Sequence, residues 1–507
     1  MSANVVPLSG LAGVPDVAGD HLNAQLFLDQ HGENVRRAPE LGRWFVWTGA
    51  WWEEDRLDRV PEMATDTIDR LRAWVAEADG HDEHKRRSQH YQASTKAGRR
   101  DALLSVAGTD PNIVVAVNQL DAHPTLLACA NGTVDLTTGE LRPAARVHLL
   151  TRGVAIEYDP DARSVLWEQT LTTIFDGDAE LIAYVQRLFG YCLTGVVHEH
   201  LAPVLWGSGA NGKSTLIKIV QELMGEHAIT APEGLVIQRR HEPHPERLAV
   251  LRGRRLVVSN ELEEDAVLNE AMVKTLTGGD TISARELYGR RFNFAPTHKV
   301  VLVTNHRPRV HGVDHAIWRR LCVVPFSVTI PSERQDPTLG RRLLDDEHGP
   351  AVFAWLVRGA VSWHREGIGE AAAVANATHE YRRSQDVLGA WLEEHTEPTV
   401  GAVTKVGELF DAWRTWCAGS GEAPGRRQDF ASGLEARGIT TEMRGHNRLA
   451  RGIALRVSTR EHSSRNSLNS LSRGTLGTSP HESSSAQVRA PEPTDDDLAR
   501  MFLGAGE

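Results

Sequence analysis

The chain has 507 residues, 24% charged and 41% hydrophobic, enough for three or four folded domains and unlike a disordered protein. Its formal net charge of −11 argues against a surface made throughout for nucleic acid, and no apolar run approaches membrane-spanning length. Four scattered cysteines, Cys129, Cys192, Cys322 and Cys417, form no C-x-x-C pair, which excludes a zinc ribbon or disulfide scaffold and reads as core thiols.

Residues 1–20 read as a flexible start, without the basic and apolar segments of a signal peptide, so the expected location is the cytoplasm. Residues 21–165 read as a mixed α+β domain. Trp44-Phe45-Val46-Trp47 and Trp51-Trp52, joined by Thr48-Gly49-Ala50, predict a hairpin with an aromatic face, and Asn131 to Leu141 predicts a second one around Thr137-Thr138-Gly139. Between them Lys85, Arg86, Arg87, Lys96, Arg99 and Arg100 read as a solvated helix rather than a nucleic-acid contact. Leading helices over 166–200 follow, with Leu181, Ile182, Val185, Leu188, Phe189 and Cys192 at helical spacing.

The most informative segment comes next. Gly207, Ser208, Gly209, Ala210, Asn211, Gly212, Lys213, Ser214 and Thr215 spell G-x-x-x-x-G-K-S and one residue beyond. The loop follows the apolar run Ala202 to Trp206 and precedes Leu216, Ile217, Ile219, Val220, Leu223 and Met224 at helical spacing, stopped by Gly225. Strand, glycine loop and helix is the context a phosphate loop needs. The glycines turn backbone N–H groups toward phosphates, the helix N-terminus adds positive potential, Lys213 reaches the β- and γ-phosphates, and Ser214 holds Mg²⁺. ATP and Mg²⁺ are the ligands this implies.

Further along, Leu256-Val257-Val258-Ser259-Asn260 is a buried-strand run ending at Glu261, placed to orient Mg²⁺ and polarise the attacking water, with Glu263 and Glu264 as alternatives. Lys299 to Thr304 is another apolar run, ending in Asn305, whose amide can sense a γ-phosphate or hold the lytic water. Asp314, Arg319 and Arg320 then precede the run Cys322 to Phe326, where an arginine can reach a neighbouring subunit's nucleotide. From Thr281 to Arg320 eight basic side chains face two acids, a confined strip suited to a groove that tracks phosphates. Residues 331–385 read as a helical segment with Trp355 and Trp363, and 386–457 as a small separate unit. Residues 458–507, rich in Ser, Thr, Pro and Gly, read as disordered. In that tail Asp495 to Leu503 could fold into one or two helical turns on a partner.

These motifs, taken with Leu276-Thr277-Gly278-Gly279-Asp280, Ala284-Arg285-Glu286-Leu287-Tyr288, Phe292-Asn293-Phe294-Ala295-Pro296 and Trp318-Arg319-Arg320-Leu321, closely resemble superfamily 3 helicases, in particular phage and plasmid primase-helicase proteins. Asn131-Gly132, Tyr158 to Ala162 and Gly190 to Gly195 resemble the domain ahead of the helicase. Leu409 to Trp416 and Arg426 to Gly438 resemble its C-terminal winged helix. The resemblance implies an α/β fold: an AAA+-like P-loop NTPase core with a parallel sheet over 166–330, a mixed α+β domain before it and a small winged-helix domain after it. It implies that Lys213, Glu261, Asn305 and Arg320, with Arg319 as second candidate, do the catalytic work, with Ser214 and Glu261 at the metal. It further implies a pore hairpin between Asp280 and Lys299, with Arg290, Arg291 and Lys299 gripping single-stranded DNA.

The function expected is that of an ATP-dependent, ring-forming replicative DNA helicase of a phage, prophage or plasmid. It would act on single-stranded and forked DNA as a homo-oligomer, a hexamer by resemblance, in the bacterial host cytoplasm, and its tail could meet a separate primase or another replication protein. The alternative is a DNA-binding replication initiator or mobile-element regulator whose ATPase drives assembly. A P-loop enzyme acting on a small molecule ranks third, because no substrate lid is evident. Primer synthesis is not expected, since no Cys/His metal cluster appears. A winged helix with a wing near Arg444 to Arg448 serves duplex binding and protein contacts equally well, and His241 and His244, set in a proline-containing loop, are discounted as metal ligands.

Overall fold

Five apolar runs, each bounded by turn or loop residues, become one parallel sheet: β1 (Ala202–Trp206), β2 (Ala228–Thr230), β3 (Leu256–Asn260), β4 (Lys299–Thr304) and β5 (Leu321–Pro325). The computed structural model describes residues 19–239, 245–260, 266–287, 289–310 and 315–456. It separates two units, 1–454 and 455–507. Only residues 455 and 456 of the second are described.

The strand order is β5-β1-β4-β3-β2, and every pairing is parallel. The inner strands are covered on both faces, which is why Leu256–Val258 and Val300–Val303 run apolar without alternating, whereas edge strand β2 is half-buried and ends in exposed Thr230. All six residues of β4 are buried. Alternate side chains feed two separate cores. Leu205, Val258, Val301, Val303 and Val324 join one. Val204, Val257, Val300, Leu302 and Val323 join the other.

The first core is covered by α1 (Val165–Ile174), α2 (Ala179–Leu193), α3 (Lys213–Met224) and α5 (Gly349–Glu366). Ser164 and Asp178 cap α1 and α2 by accepting from Trp167 N and Leu181 N. Helices α2 and α5 cross glycine against glycine. A Cβ on Gly190 would lie 2.1 Å from the Ala360 nitrogen, and one on Gly359 would lie 2.1 Å from the Gln186 carbonyl oxygen. The second core is closed by α4 (Glu270–Thr277) and α6 (Ala372–Gln385), through Val273, Leu276, Ala377 and Tyr381.

Ahead of the sheet the chain is mixed α+β, with helices Asp20–His31, Arg59–Ala76, His81–Ser94 and Arg99–Ala107 and two antiparallel-based sheets. The aromatic hairpin forms as expected: Trp47 pairs with Trp52, and the Thr48 hydroxyl accepts from Ala50 N and Trp51 N across the turn. The second hairpin pairs Asp135 with Glu140. After α6 come α7 (Val387–His395), strand Thr396–Lys405, α8 (Val406–Ser420), α9 (Arg427–Ala436) and strands Thr441–Arg444 and Asn447–Leu455. Gly445, in the left-handed region at φ 62°, joins the last two strands. Trp391, Trp413 and Phe430 form the centre of this small C-terminal unit, residues 387–454 within the larger body 1–454, with Trp391 5.5 Å from Trp413 and 6.0 Å from Phe430 between ring centroids.

All four cysteines are buried, and burial raises the thiols, Cys129 and Cys322 to about 11 and Cys192 to about 12. Among the described residues no helix is long and apolar enough to cross a membrane, and no group of three or more His, Cys, Asp or Glu could hold a metal ion.

Candidate functional site

Thr304, the last residue of β4, pairs in register with Trp206, the last of β1, so the loop leaving β1 and the residue after β4 emerge side by side. The loop 207–212 turns tightly. Gly209 and Gly212 have φ of 106° and 79°, and Ala210 at 50° sits in the left-handed region without being glycine. Gly207 admits no side chain, since a Cβ there would lie 2.3 Å from Asn211 Nδ2 and 2.4 Å from the Phe326 carbonyl oxygen. The buried Asn211 side chain donates to the Phe326 carbonyl at 3.2 Å and accepts from Lys213 N at 3.3 Å. Ile330 N donates to the Ala210 carbonyl at 2.7 Å. The segment after β5 thus holds the loop's shape from outside.

Lys213 opens α3, yet its side chain turns back into the loop and is 4% exposed. Its ammonium donates to the Gly207 carbonyl at 3.0 Å, the Thr304 carbonyl at 2.7 Å and Asn305 Oδ1 at 2.8 Å. Two residues 92 positions apart, named independently as candidates, are therefore in direct contact. Ser208 and Ser214 are exposed at the mouth of the loop and Thr215 is half-buried. Asn260 ends β3 opposite Val303, at the same sheet edge. Glu261, with Glu263, Glu264 and Asp314, lies outside the described residues, as do Tyr288, His241 and His244 and the segment Asp495 to Leu503.

The two arginines before β5 face opposite ways. Arg320 is 8% exposed and donates through Nε to Thr277 Oγ1 at 3.1 Å and through Nη1 to the Ala316 carbonyl at 2.7 Å. It ties α4 to the start of β5. Arg319 is exposed.

Strands Ile282–Arg285 and Arg291–Phe294 form an antiparallel hairpin with Arg285 opposite Arg291. Arg290 and Arg291 are exposed beside its turn, where Leu287 is 65% exposed. At the hairpin's turn, one residue past Arg285, Glu286 pairs with Arg252 at 3.1 Å and with Arg43 of the preceding domain at 3.6 Å, and Arg252 lies over the Phe292 ring at 4.5 Å. A cleft of 1170 Å³ separates the hairpin from that domain, with Arg290, Arg291, Arg43 and Arg56 among its walls.

Lys299 corrects the expectation that it grips DNA. It is 3% exposed, and its ammonium donates to the carbonyls of Thr194, Val196 and Thr297 beneath the Tyr191 ring. Burial, with Arg255 nearby, pulls its pKa down to about 7. It opens a central strand, so its side chain is inside the fold and no strand of DNA can reach it. Arg255 does similar work next to it, donating to the carbonyls of Leu193 at 2.6 Å and Leu126 at 2.7 Å, which fastens the sheet to the domain ahead. Part of the basic strip is therefore internal scaffolding. Sequence reasoning passed over Asn211's anchoring role, Arg43 and Arg252, and Arg307, which counted only as one charge in the strip. Their contacts join distant segments, and no local pattern announces them.

The D5 N-terminal-like family matches residues 24–176, and a family of unknown function, DUF5906, matches residues 205–320, the loop, hairpin and arginine segments together. A helicase-named protein of Acanthamoeba polyphaga mimivirus is 28% identical over 334 residues, 61% of this chain and 34% of that protein. A primase-named protein of African swine fever virus is 26% identical over 326 residues, 59% of this chain and 34% of that protein. These matches support a phage and viral primase-helicase family. The chain spans about a third of the length of those two viral proteins, so their names describe longer molecules of which it matches one part. Among solved structures, the apo NrS-1 C-terminal region aligns over 85% of this chain and 99% of that one, at 10% identity and a TM-score of 0.47.

Proposed function

We propose that the chain is an ATP-hydrolysing motor of superfamily 3 type that moves along single-stranded DNA as a ring of identical subunits, a replicative helicase. The observation that carries this reading is the Lys213 ammonium, held between the glycine loop and Asn305 at the edge where β1, β3 and β4 end together. A lysine there can exchange carbonyl partners for phosphate oxygens without moving its backbone.

The residues fit a nucleoside triphosphate and Mg²⁺: the Gly207 position admits no Cβ, the loop precedes a helix N-terminus, and the Ser214 hydroxyl stands exposed in its first turn. Loop N–H groups and Lys213 would hold the phosphates, and Ser214 and Glu261 the metal, which would offset charge on the β- and γ-phosphates. The Asn305 amide would orient the attacking water. Arg319, the exposed arginine of its pair, would enter the neighbouring subunit's site. The order β5-β1-β4-β3-β2 supports an AAA+-like core, because it places the loop, sensor and acid strands side by side. Arg290 and Arg291 at the hairpin turn would contact backbone phosphates without reading bases.

The test is unwinding of a forked duplex beside ATP hydrolysis with and without single strands. An Arg290→Ala/Arg291→Ala double variant should keep basal hydrolysis and lose both its stimulation and unwinding. Normal unwinding by that variant refutes the hairpin's role, and ATP hydrolysis unaffected by Lys213→Ala refutes the site.

The C-terminal unit favours a second reading, an initiator whose ATPase drives assembly. Its run of helix, strand, two helices and a two-stranded turn, with exposed Arg426, Arg427 and Arg444, supports a winged helix able to meet duplex DNA. Duplex binding with ATP hydrolysis but no unwinding would select it.

A further inference from the structure

The loop after Asn305 is fastened at three successive points to one helix. Arg307 stacks over the Trp206 ring at 3.7 Å and lies 5.8 Å from the Tyr381 ring centroid, while its Nη1 donates to Glu380 at 3.3 Å. Its side chain is 12% exposed, and among the described residues its Nε and Nη2 meet no acceptor, so ring faces hold most of the guanidinium. One residue on, the Pro308 carbonyl accepts from the Tyr381 hydroxyl. Two further on, Val310 N donates to Gln385 Oε1 at 2.9 Å.

Trp206 is the residue immediately before Gly207, whose carbonyl holds Lys213. Arg307 therefore grips the root of the glycine loop and the sensor loop at once. Glu380, Tyr381 and Gln385 occupy the last turn and a half of α6, and the next residue, Asp386, belongs to the C-terminal unit in two ways: it caps α7 by accepting from Gly389 N at 2.7 Å, and it pairs with Arg437 just beyond α9. A continuous set of contacts thus runs from Lys213 and Asn305, through Arg307 and the end of α6, to α7 and α9.

We propose that Arg307 is a positioning residue: it aligns Asn305 with Lys213 and transmits the nucleotide state through α6 to the C-terminal unit. The inference rests on the nucleotide reading of the Lys213 site. Whatever ligand draws Lys213 and Asn305 apart must shift the sensor loop. Because that loop is pinned to α6 at three points, the helix and its Asp386 cap follow.

The experiment uses the full chain with Mg²⁺ and either ADP or a non-hydrolysable ATP analogue, and reads amide hydrogen exchange over residues 427–454 together with steady-state ATP kinetics. In the wild type, exchange in 427–454 should differ between the two nucleotides. Arg307→Lys keeps the charge and loses the flat stacking surface. It should lower kcat about 10-fold with KM changed less than about twofold, and should abolish the nucleotide-dependent difference. Tyr381→Phe, which removes only the bond to Pro308, should weaken that difference with little change in kcat. A merely structural arginine would instead lower thermal stability and leave the difference in place, and that result overturns the proposal. So does a wild type that binds and hydrolyses ATP with identical exchange in both states. Failure to bind ATP at all would strike the site reading itself.

Discussion

At the scale of single residues, adjacent side chains with the same chemistry are separated by direction alone. Arg319 and Arg320 stand next to each other, yet one is exposed and the other is buried against Thr277 and Ala316. Arg319→Ala should therefore reduce ATP turnover by roughly 10³-fold or more with nucleotide affinity kept, the loss expected of a charge-stabilising arginine supplied between subunits. Arg320→Ala should instead destabilise the fold by about 1–3 kcal/mol, since Thr277 and the Ala316 carbonyl lose a buried donor. Turnover and thermal melting of the two variants, measured side by side, check this; the reverse pattern would return the catalytic role to Arg320. Lys299 adds a pH dependence. Its pKa is about 7 folded against 10.5 for a free lysine, so between those values the unfolded chain holds a proton that the folded chain lacks. Stability contributed at this position then rises with pH across that window. Wild type should gain roughly 2 kcal/mol on Lys299→Met between pH 7 and pH 9 in urea titrations. Parallel curves would mean that the ammonium is not buried as described.

Elements show the same dependence on close approach. Helices α2 and α5 touch backbone to backbone at Gly190 and Gly359, where an added methyl would sit 2.1 Å from main-chain atoms. No rotamer relieves a clash with backbone, so the helices must separate. Gly190→Ala should cost about 3 kcal/mol or more, read as a shifted urea midpoint, whereas Gly340→Ala, with open space around it, should be nearly silent. The hairpin 282–294 differs in kind. It is a two-stranded element whose turn end is moored by Glu286 to Arg252 and Arg43, while Arg290 and Arg291 beside it stay exposed. Partly exposed ion pairs of this sort contribute little stability, so the turn end is only lightly held.

For the whole molecule, the proposed ring makes a demand that no single subunit can meet: each site takes its loop from one copy and its arginine from the next. Turnover per subunit should rise with protein concentration. Lys213→Ala and Arg319→Ala, each inactive alone, should regain roughly a quarter of wild-type turnover when mixed in equal amounts, because about that share of interfaces pairs an intact loop with an intact arginine. No recovery on mixing, with assembly intact, would mean that each site is complete within one chain.

Much of this protein is written locally. The glycine loop and its flanking strand and helix, both early hairpins, the spacing that makes α2, and the arginines at the 282–294 turn each depend on residues within about a dozen positions, so backbone preference and apolar period suffice to reveal them. Lys213 and Asn305 were also legible, because each ends or follows a recognisable run. Which basic residues face solvent was not legible: Lys299 and Arg320 carry the same charge as their exposed neighbours, and only packing against Tyr191, Thr194 and Thr277 turns them inward. The Arg307 clamp across Trp206 and Glu380 was equally hidden, since it joins segments brought together by the sheet order and by the return of α6. The sequence by itself determined which elements form and where the glycine loop and its lysine sit. The tertiary structure alone decided which charges are available, because exposure is set by long-range packing while propensity acts within a few turns of chain.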